Sequence, residues 1–304
     1  MLSSSHAPRP APSARSRRLR TALAWGAVAA LAGPVPAVIT QEQQAGGSPG
    51  WPCVGAVDPV YVQSAEGTGG RVLMLHPSEL GAPGAAAIMD DRRDHEQTVV
   101  RIVGQLDEGV HDFGVPIDST IESADFFVSV QCLQAVRLAR PTGDELRSND
   151  ADVTEYHQFE AIRRATIARP APGRWTVTVA GRGLLFLIVQ ARTGLSLDGL
   201  TFIGPGRPPG VAGDEARPPE AGKPRRVETR ISGVDGPVTF RLISSSGATV
   251  QTLALTELDR GEAGRLYGGE VTLDSAGSRL AVTGVDGSGF AFQRVDPRLM
   301  TAPP

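Results

Sequence analysis

The chain has 304 residues, a formal net charge of −3, 21% charged and 5% aromatic side chains. That length accommodates two domains of ordinary size, and a slightly acidic chain lacks the basic footprint that nucleic acid or an anionic membrane requires. Lys223 is the only lysine, so nearly all positive charge is carried by arginine.

The N-terminus carries Arg9, Arg15, Arg17, Arg18 and Arg20 and no acidic residue, followed by an apolar run from Thr21 to Leu31. Val35, Pro36 and Ala37 then place small residues at a cleavage position. This pattern predicts an export signal over 1–37 and a mature chain that begins near Val38. The other reading is a membrane anchor, but Pro34 and Pro36 interrupt a run that would need about 20 apolar residues. Loss of the five leader arginines takes the net charge from −3 to −8.

Residues 38–96 read as a disordered N-terminus with a short strand, Val72 to His76, and one short helix, Ala85 to Gln97. The helix is mostly solvent-facing, with Asp90, Asp91, Arg92, Arg93, Asp94 and Glu96 on it. From Thr98 the hydrophobic period changes to two. Val99 to Val103, His111 to Ile117, Asp125 to Cys132, Ala135 to Leu138, Gln158 to Ala168, Arg174 to Ala180, Leu184 to Gln190 and Leu197 to Ile203 read as strands. Trp175, Val177 and Val179 share one face, as in a half-buried antiparallel strand, and are expected in the core. Eight strands over 97–204 predict a first β-sandwich or jelly roll. Residues 205–224 are rich in Pro and Gly and read as a linker. Strands at Arg226 to Ser232, Pro237 to Ser244, Thr249 to Leu258, Leu266 to Leu273, Ser278 to Val285 and Gly289 to Val295 predict a second sandwich of immunoglobulin type over 225–297. Phe290 and Phe292 are expected in its core, and 298–304 as a disordered tail. The fold class is therefore mainly β: two sandwiches with one short helix before the first.

Cys53 and Cys132 are the only cysteines. In an exported chain they predict a disulfide; two buried thiols are the alternative.

Four segments carry a resemblance. Thr68 to Leu75 (T-G-G-R-V-L-M-L), Val115 to Asp118 (V-P-I-D), Ala171 to Val179 (A-P-G-R-W-T-V-T-V) and the final run, Ser278 to Asp286 then Gly289 to Val295 (G-F-A-F-Q-R-V), occur in that order. Together they resemble the region that follows the von Willebrand A domain in hemicentin-like extracellular proteins. The resemblance implies a galactose-binding-like sandwich followed by an immunoglobulin-like one, and a role in a matrix or in adhesion. Only a few tens of residues lie between the predicted leader and Thr68, so a complete von Willebrand A domain is not expected in this stretch, and with its Asp-x-Ser-x-Ser metal pattern absent from the sequence, metal-dependent adhesion is not carried over.

Catalytic constellations are sparse. His76, His95, His111 and His157 lack zinc-binding spacing, and there is no nucleophile elbow, Cys-x-x-Cys pair or phosphate loop. Asp91 and His95 stand four apart on the predicted helix, without a third ligand at a useful spacing. Asp235, Asp286 and Asp296 fall in turns, where Asp-Gly is ordinary hairpin chemistry. No catalytic residue, metal or cofactor is assigned. The expectation is a secreted, non-enzymatic binding protein for a protein or glycan ligand. The alternatives are a secreted hydrolase using carboxylates such as Asp112, Asp118, Glu155 or Glu160, and a structural spacer of the cell envelope.

Overall fold

In the computed structural model, residues 37–39, 53–89, 96–204 and 220–303 are described. The predicted leader (1–37) apart from Ala37, together with Asp91 and His95, lies outside them. The stretch 53–89 holds more regular structure than the sequence reading expects. A helix, α1 (Pro59–Thr68), is capped by Asp58, whose side chain accepts a hydrogen bond from Val60 N, and starts with proline at its first position. These are ordinary helix-start signals. After it come β2 (Val72–Met74), paired in parallel with β1 (Ala37–Ile39), a single 3-10 turn at Pro77–Glu79, and α2 (Ala85–Met89). The helix expected over Ala85 to Gln97 stops by Met89 in its described part, and Gln97 already belongs to a strand.

The first sandwich is built from β3 (Gln97–Ile117), β4 (Ile121–Ala139), β5 (Val153–Gln158), β6 (Ile162–Ala168) and β7 (Gly173–Thr193), in the order β3-β7-β4-β6-β5. β3 and β7 are 21 residues long. A straight strand of that length would run for about 70 Å, far more than a small domain spans. All three long strands therefore bend. Their ladders shift register at Leu106/Gly109, Val130/Cys132 and Leu133/Ala135. At the bend Gly183 has φ +84, and a Cβ on Gly181 would stand 2.9 Å from the Cys132 carbonyl oxygen. Bulges and glycine at a corner are the means by which one sheet becomes two layers. The consequence is visible at Trp175: it pairs in register with Val115, at the far end of β7 from Val189, the partner of Phe126, yet its ring lies 5.5 Å from that of Phe126. The eight predicted strands are thus fewer and longer: three of them pass through both layers.

Trp175, Val177 and Val179 are fully buried between the layers with Phe126, Val128, Leu185, Leu187 and Val189. The outer face of the five-stranded layer carries a second core, with Phe127, Phe186 and Ile188 under Leu73, Met74, Leu75 and Ile88. The disulfide Cys53–Cys132 is formed and ties the segment before α1 to the bend of β4. Closing a loop of that length stabilises a fold by about 2–4 kcal/mol.

The three-stranded layer is narrower than the five-stranded one, and the loop 140–152 fills the gap with Leu146, which is buried. Arg140 latches that loop: it donates to both oxygens of Asp152 (2.6 and 2.8 Å) and to Asp150 (2.9 Å), with its guanidinium 5.4 Å from the Trp175 ring. The Arg140 hydrogen bonds hold the Asp152 carboxyl below its ordinary range, and the Arg147 backbone N–H followed by Arg140 does the same for Asp150. Depressed carboxyl values stabilise the fold above the ordinary Asp range, and that contribution is lost as pH falls through the folded-state values. The difference in melting temperature between the parent and Arg140→Gln is therefore expected to be constant from neutral pH down to about 5 and to close below about 4. A difference that does not begin to narrow as pH falls below about 4 would assign the Arg140 effect to its stacking on Trp175.

The second sandwich contains β8 (Ser196–Leu197), β9 (Thr201–Phe202), β10 (Pro224–Ser232), β11 (Val238–Ile243), β12 (Thr249–Leu253), β13 (Thr256–Gly261), β14 (Gly264–Thr272), β15 (Arg279–Val285) and β16 (Ala291–Val295). One sheet has the order β13-β14-β10-β8, with β9 also on β10; the other is β12-β11-β15-β16. This is the immunoglobulin-type arrangement: with β8 and β9 counted as the first strand, the first, second, fifth and sixth strands face the remainder, and the fourth, β12, is an additional strand beside the third. Leu195, Leu197 and Phe202 lie in its core beside Phe240, Tyr267 and Phe292. Leu197 to Ile203, expected in the first sandwich, is thus the opening strand of the second. The predicted linker falls inside this sandwich, between β9 and β10, with 205–219 outside the described residues. Thr249 to Leu258 is two strands, because the chain crosses between sheets at Ala254 and Leu255. The predicted tail is tied down: Ser278 and Met300 exchange backbone hydrogen bonds, and Ala302 is buried. Phe292 is buried but Phe290 is exposed. Phe290 sits one residue before β16, where its N–H caps the Asp286 turn, so strand parity does not reach it.

Candidate ligand-binding cleft at the junction of the sandwiches

α1 stands where the two sandwiches meet, and its last turn supplies Glu66. Glu66 is an isolated acid in a short helix of low amphipathicity, and it is buried because the helix end is wedged between both domains. Arg101 of β3 donates to Glu66 Oε1 (3.0 Å) and also to the carbonyls of Ala65 (3.2 Å), Gly69 (3.2 Å) and Gly70 (2.6 Å). A cation at a helix C-terminus satisfies carbonyls that have no partner within the helix. Arg279 of β15 donates to the other Glu66 oxygen, and to the Pro297 carbonyl (3.0 Å). Burial, then the neighbouring Arg279, pulls the Arg101 guanidinium down to about 10, and burial lowers Arg279 as well. One carboxylate thus joins two arginines from different domains. Gly69, with φ +76, ends the helix so close to Pro297 that a Cβ there would stand 2.9 Å from the proline ring.

Two further contacts lock the junction. Asp118, in the turn after β3, pairs with Arg294 of β16 at 2.8 Å, both fully buried. Asp286 accepts from the Ser119 backbone N–H (2.7 Å) and from Ser288 and Phe290. Burial would raise Asp286, but those hydrogen bonds outweigh it and hold the carboxyl below its ordinary range.

Above Glu66 lies a cleft of about 530 Å³. Val62, Val103, Leu184 and Leu299 form its apolar walls, and Gln63, Gln105, Ser245, Ser275 and Thr301 its neutral polar groups. Glu66 is the only charged residue in the lining, and both its oxygens are occupied by arginine. The size and the position between domains are those of ligand sites in general. The arrangement can hold an uncharged ligand with hydrogen-bonding groups on an apolar body.

The candidate carboxylates of the sequence are not gathered here. Asp112 accepts from Thr178 on the second layer, Asp118 is consumed by Arg294, Glu155 lies on β5, and Glu160 in the turn after it. His76 caps the 3-10 turn and His111 contacts the Asp107 carbonyl. Asp296 binds Arg298, away from Asp286 and its turn. Among the described residues no three His, Cys, Asp or Glu side chains are placed to share a metal. None of Glu66, Arg101 or Arg279 is singled out by sequence; the only trace is an arginine on each of two otherwise apolar strands.

Compared with known proteins, the chain matches no family model and no curated protein. Solved structures similar to it include a Bacillus licheniformis lipase in its propeptide form, at 10% identity and a TM-score of 0.29, and an I-band fragment of titin, at 13% and 0.20. The alignments cover 72% and 65% of this chain, and 45% and 66% of those chains. Likenesses at such scores carry neither topology nor activity to this protein.

Proposed function

We propose that this chain is an exported, non-catalytic binding protein of the adhesion type, whose two sandwiches act as one scaffold for a ligand in the junction cleft. The observation that carries this reading is the cleft itself: a preformed space between domains, with neutral hydrogen-bonding groups and a charge network tied up beneath it. A rigid, preorganised site loses little entropy on binding, which is what a recognition module needs. The disulfide fits an oxidising compartment, and among the described residues no helix is long and apolar enough to cross a membrane. The basic, apolar leader and the resemblance to the hemicentin region support the same reading.

The test uses protein recovered from the culture supernatant or periplasm, whose N-terminus is expected between Val38 and Gln41. Parent protein is expected to select binders from glycan arrays or peptide-display libraries. Ala276→Trp, which fills the exposed mouth of the cleft, is expected to weaken them at least tenfold with an unchanged melting temperature. Binders that hold the variant as tightly as the parent, or no binder from either source, would overturn the reading.

A further inference from the structure

β3 is an edge strand: β7 pairs with it on one side only. Its register with β7 is continuous from Val100 to Leu106, with Val103 opposite Phe186 and Gln105 opposite Leu184. The N–H of Val103 does not enter that ladder. It donates to the Ser245 carbonyl of the second sandwich at 2.8 Å. Val103 is therefore a non-hydrogen-bonded position of the β3–β7 pair, and in an antiparallel ladder such positions alternate with bonded ones. Val99, at the register shift between Thr98 and Val100, accepts Gln293 Nε2 on its carbonyl at 2.9 Å, a second contact of the second sandwich with this edge. Gln105, two residues after Val103, has the same parity, so its N–H and C=O point off the sheet edge. Gln105 is exposed and lines the junction cleft.

Outward backbone groups along an edge are a template for another strand. Here the second sandwich occupies the edge at Val99 and Val103, and the edge opens to the cleft at Gln105. From this geometry we propose that the cleft takes an extended, uncharged peptide segment by strand addition, which continues the rung set by Val103 and Ser245 and exchanges both backbone hydrogen bonds with Gln105. The occupant is a polypeptide because the free groups are a backbone donor and acceptor at strand spacing, the pattern that main-chain pairing reads. It is uncharged because the remaining lining is Val62, Leu184, Leu299 and neutral amides or hydroxyls. Alternate side chains of the added segment would face those apolar walls. The proposal rests on the binding reading above and narrows it to one ligand class.

The probe is a display library of uncharged twelve-residue peptides, selected on the full mature protein. Selected peptides are expected to lose at least tenfold affinity for Gln105→Pro and several-fold less than that for Gln105→Ala, which removes a side chain of the lining but keeps the backbone N–H. Proline removes the outward N–H and is tolerated at an edge position whose N–H takes no part in the ladder, whereas alanine removes only the side chain. A measurement that needs no variant accompanies it. The Gln105 amide is expected to exchange rapidly in the free protein and to be protected in saturating peptide, while Val103 is protected throughout. Peptides that bind Gln105→Pro as well as the parent, or an unprotected Gln105 amide in the complex, would overturn strand addition and leave the cleft reading standing. Glycan binders blocked by Ala276→Trp, with no peptide selected, would refute the peptide class alone. Failure of both libraries would remove the cleft reading with it.

Discussion

Replacing Trp175 with alanine is expected to cost the first sandwich about 3–5 kcal/mol, the range for removing a fully buried aromatic side chain. Trp175 has no exposed surface, its ring packs on Phe126, and its Nε1 donates to the Ala171 carbonyl at 2.9 Å. It also sits where the folded-over ends of β7 and β4 meet, so the cavity would open between the two layers and collapse there would require the bend itself to move. A loss of that size is a large share of the stability of an ordinary domain. Trp175→Phe keeps most of the apolar volume and gives up the hydrogen bond, for which about 1–3 kcal/mol is expected because the Ala171 carbonyl is left without that donor. Thermal or urea melts of the three proteins decide it. An unchanged midpoint for Trp175→Ala would remove Trp175 from the core and make it a surface residue.

Glu66→Ala is expected to be as damaging, for a different reason. It leaves Arg101 and Arg279 buried with no carboxylate between them. Breaking a buried pair by removal of one partner costs about 3–5 kcal/mol, most of it the uncompensated charge. Because the two arginines belong to different sandwiches, the loss falls on the junction. The calorimetric trace is expected to change from one transition to two, as the domains uncouple. Glu66→Gln combined with Arg279→Met removes the carboxylate together with one of the two charges, and is expected to recover part of the stability that Glu66→Gln alone forfeits. A single transition at the parental temperature for Glu66→Ala would show that the triad does not hold the domains together. Trp175→Ala, by contrast, is expected to lower the single transition without splitting it, and this distinguishes a core defect from a junction defect.

Hydrophobic period determined much of the architecture from sequence alone. The alternation at Trp175, Val177 and Val179, the doubly apolar run Leu184 to Val189, and the regular turns after Pro224 announce half-buried and central strands, and hence two sandwiches, because period-two patterning is set by local backbone geometry. The disulfide was legible too, from two cysteines behind a predicted export signal. The bend was not. Residues 104–110 and 133–134 read as breaks between strands, whereas the structure carries the same strands through bulges there, and a bulge differs from a turn only in what pairs across it. Strand partners are likewise non-local: nothing near Leu197 or Phe202 says that their partners lie in β10, beyond a Pro/Gly-rich stretch that looks like a domain boundary. The cleft depended wholly on tertiary structure. Glu66, Arg101 and Arg279 are separated by long stretches of chain, none is singled out by its local pattern, and only the wedging of α1 between the sandwiches buries them together. Gln105 is the plainest case: its side chain is unremarkable in sequence, and what matters is the direction of its backbone N–H, which no side-chain pattern encodes and which follows only from the β3–β7 register and the hydrogen bond of Val103 to Ser245.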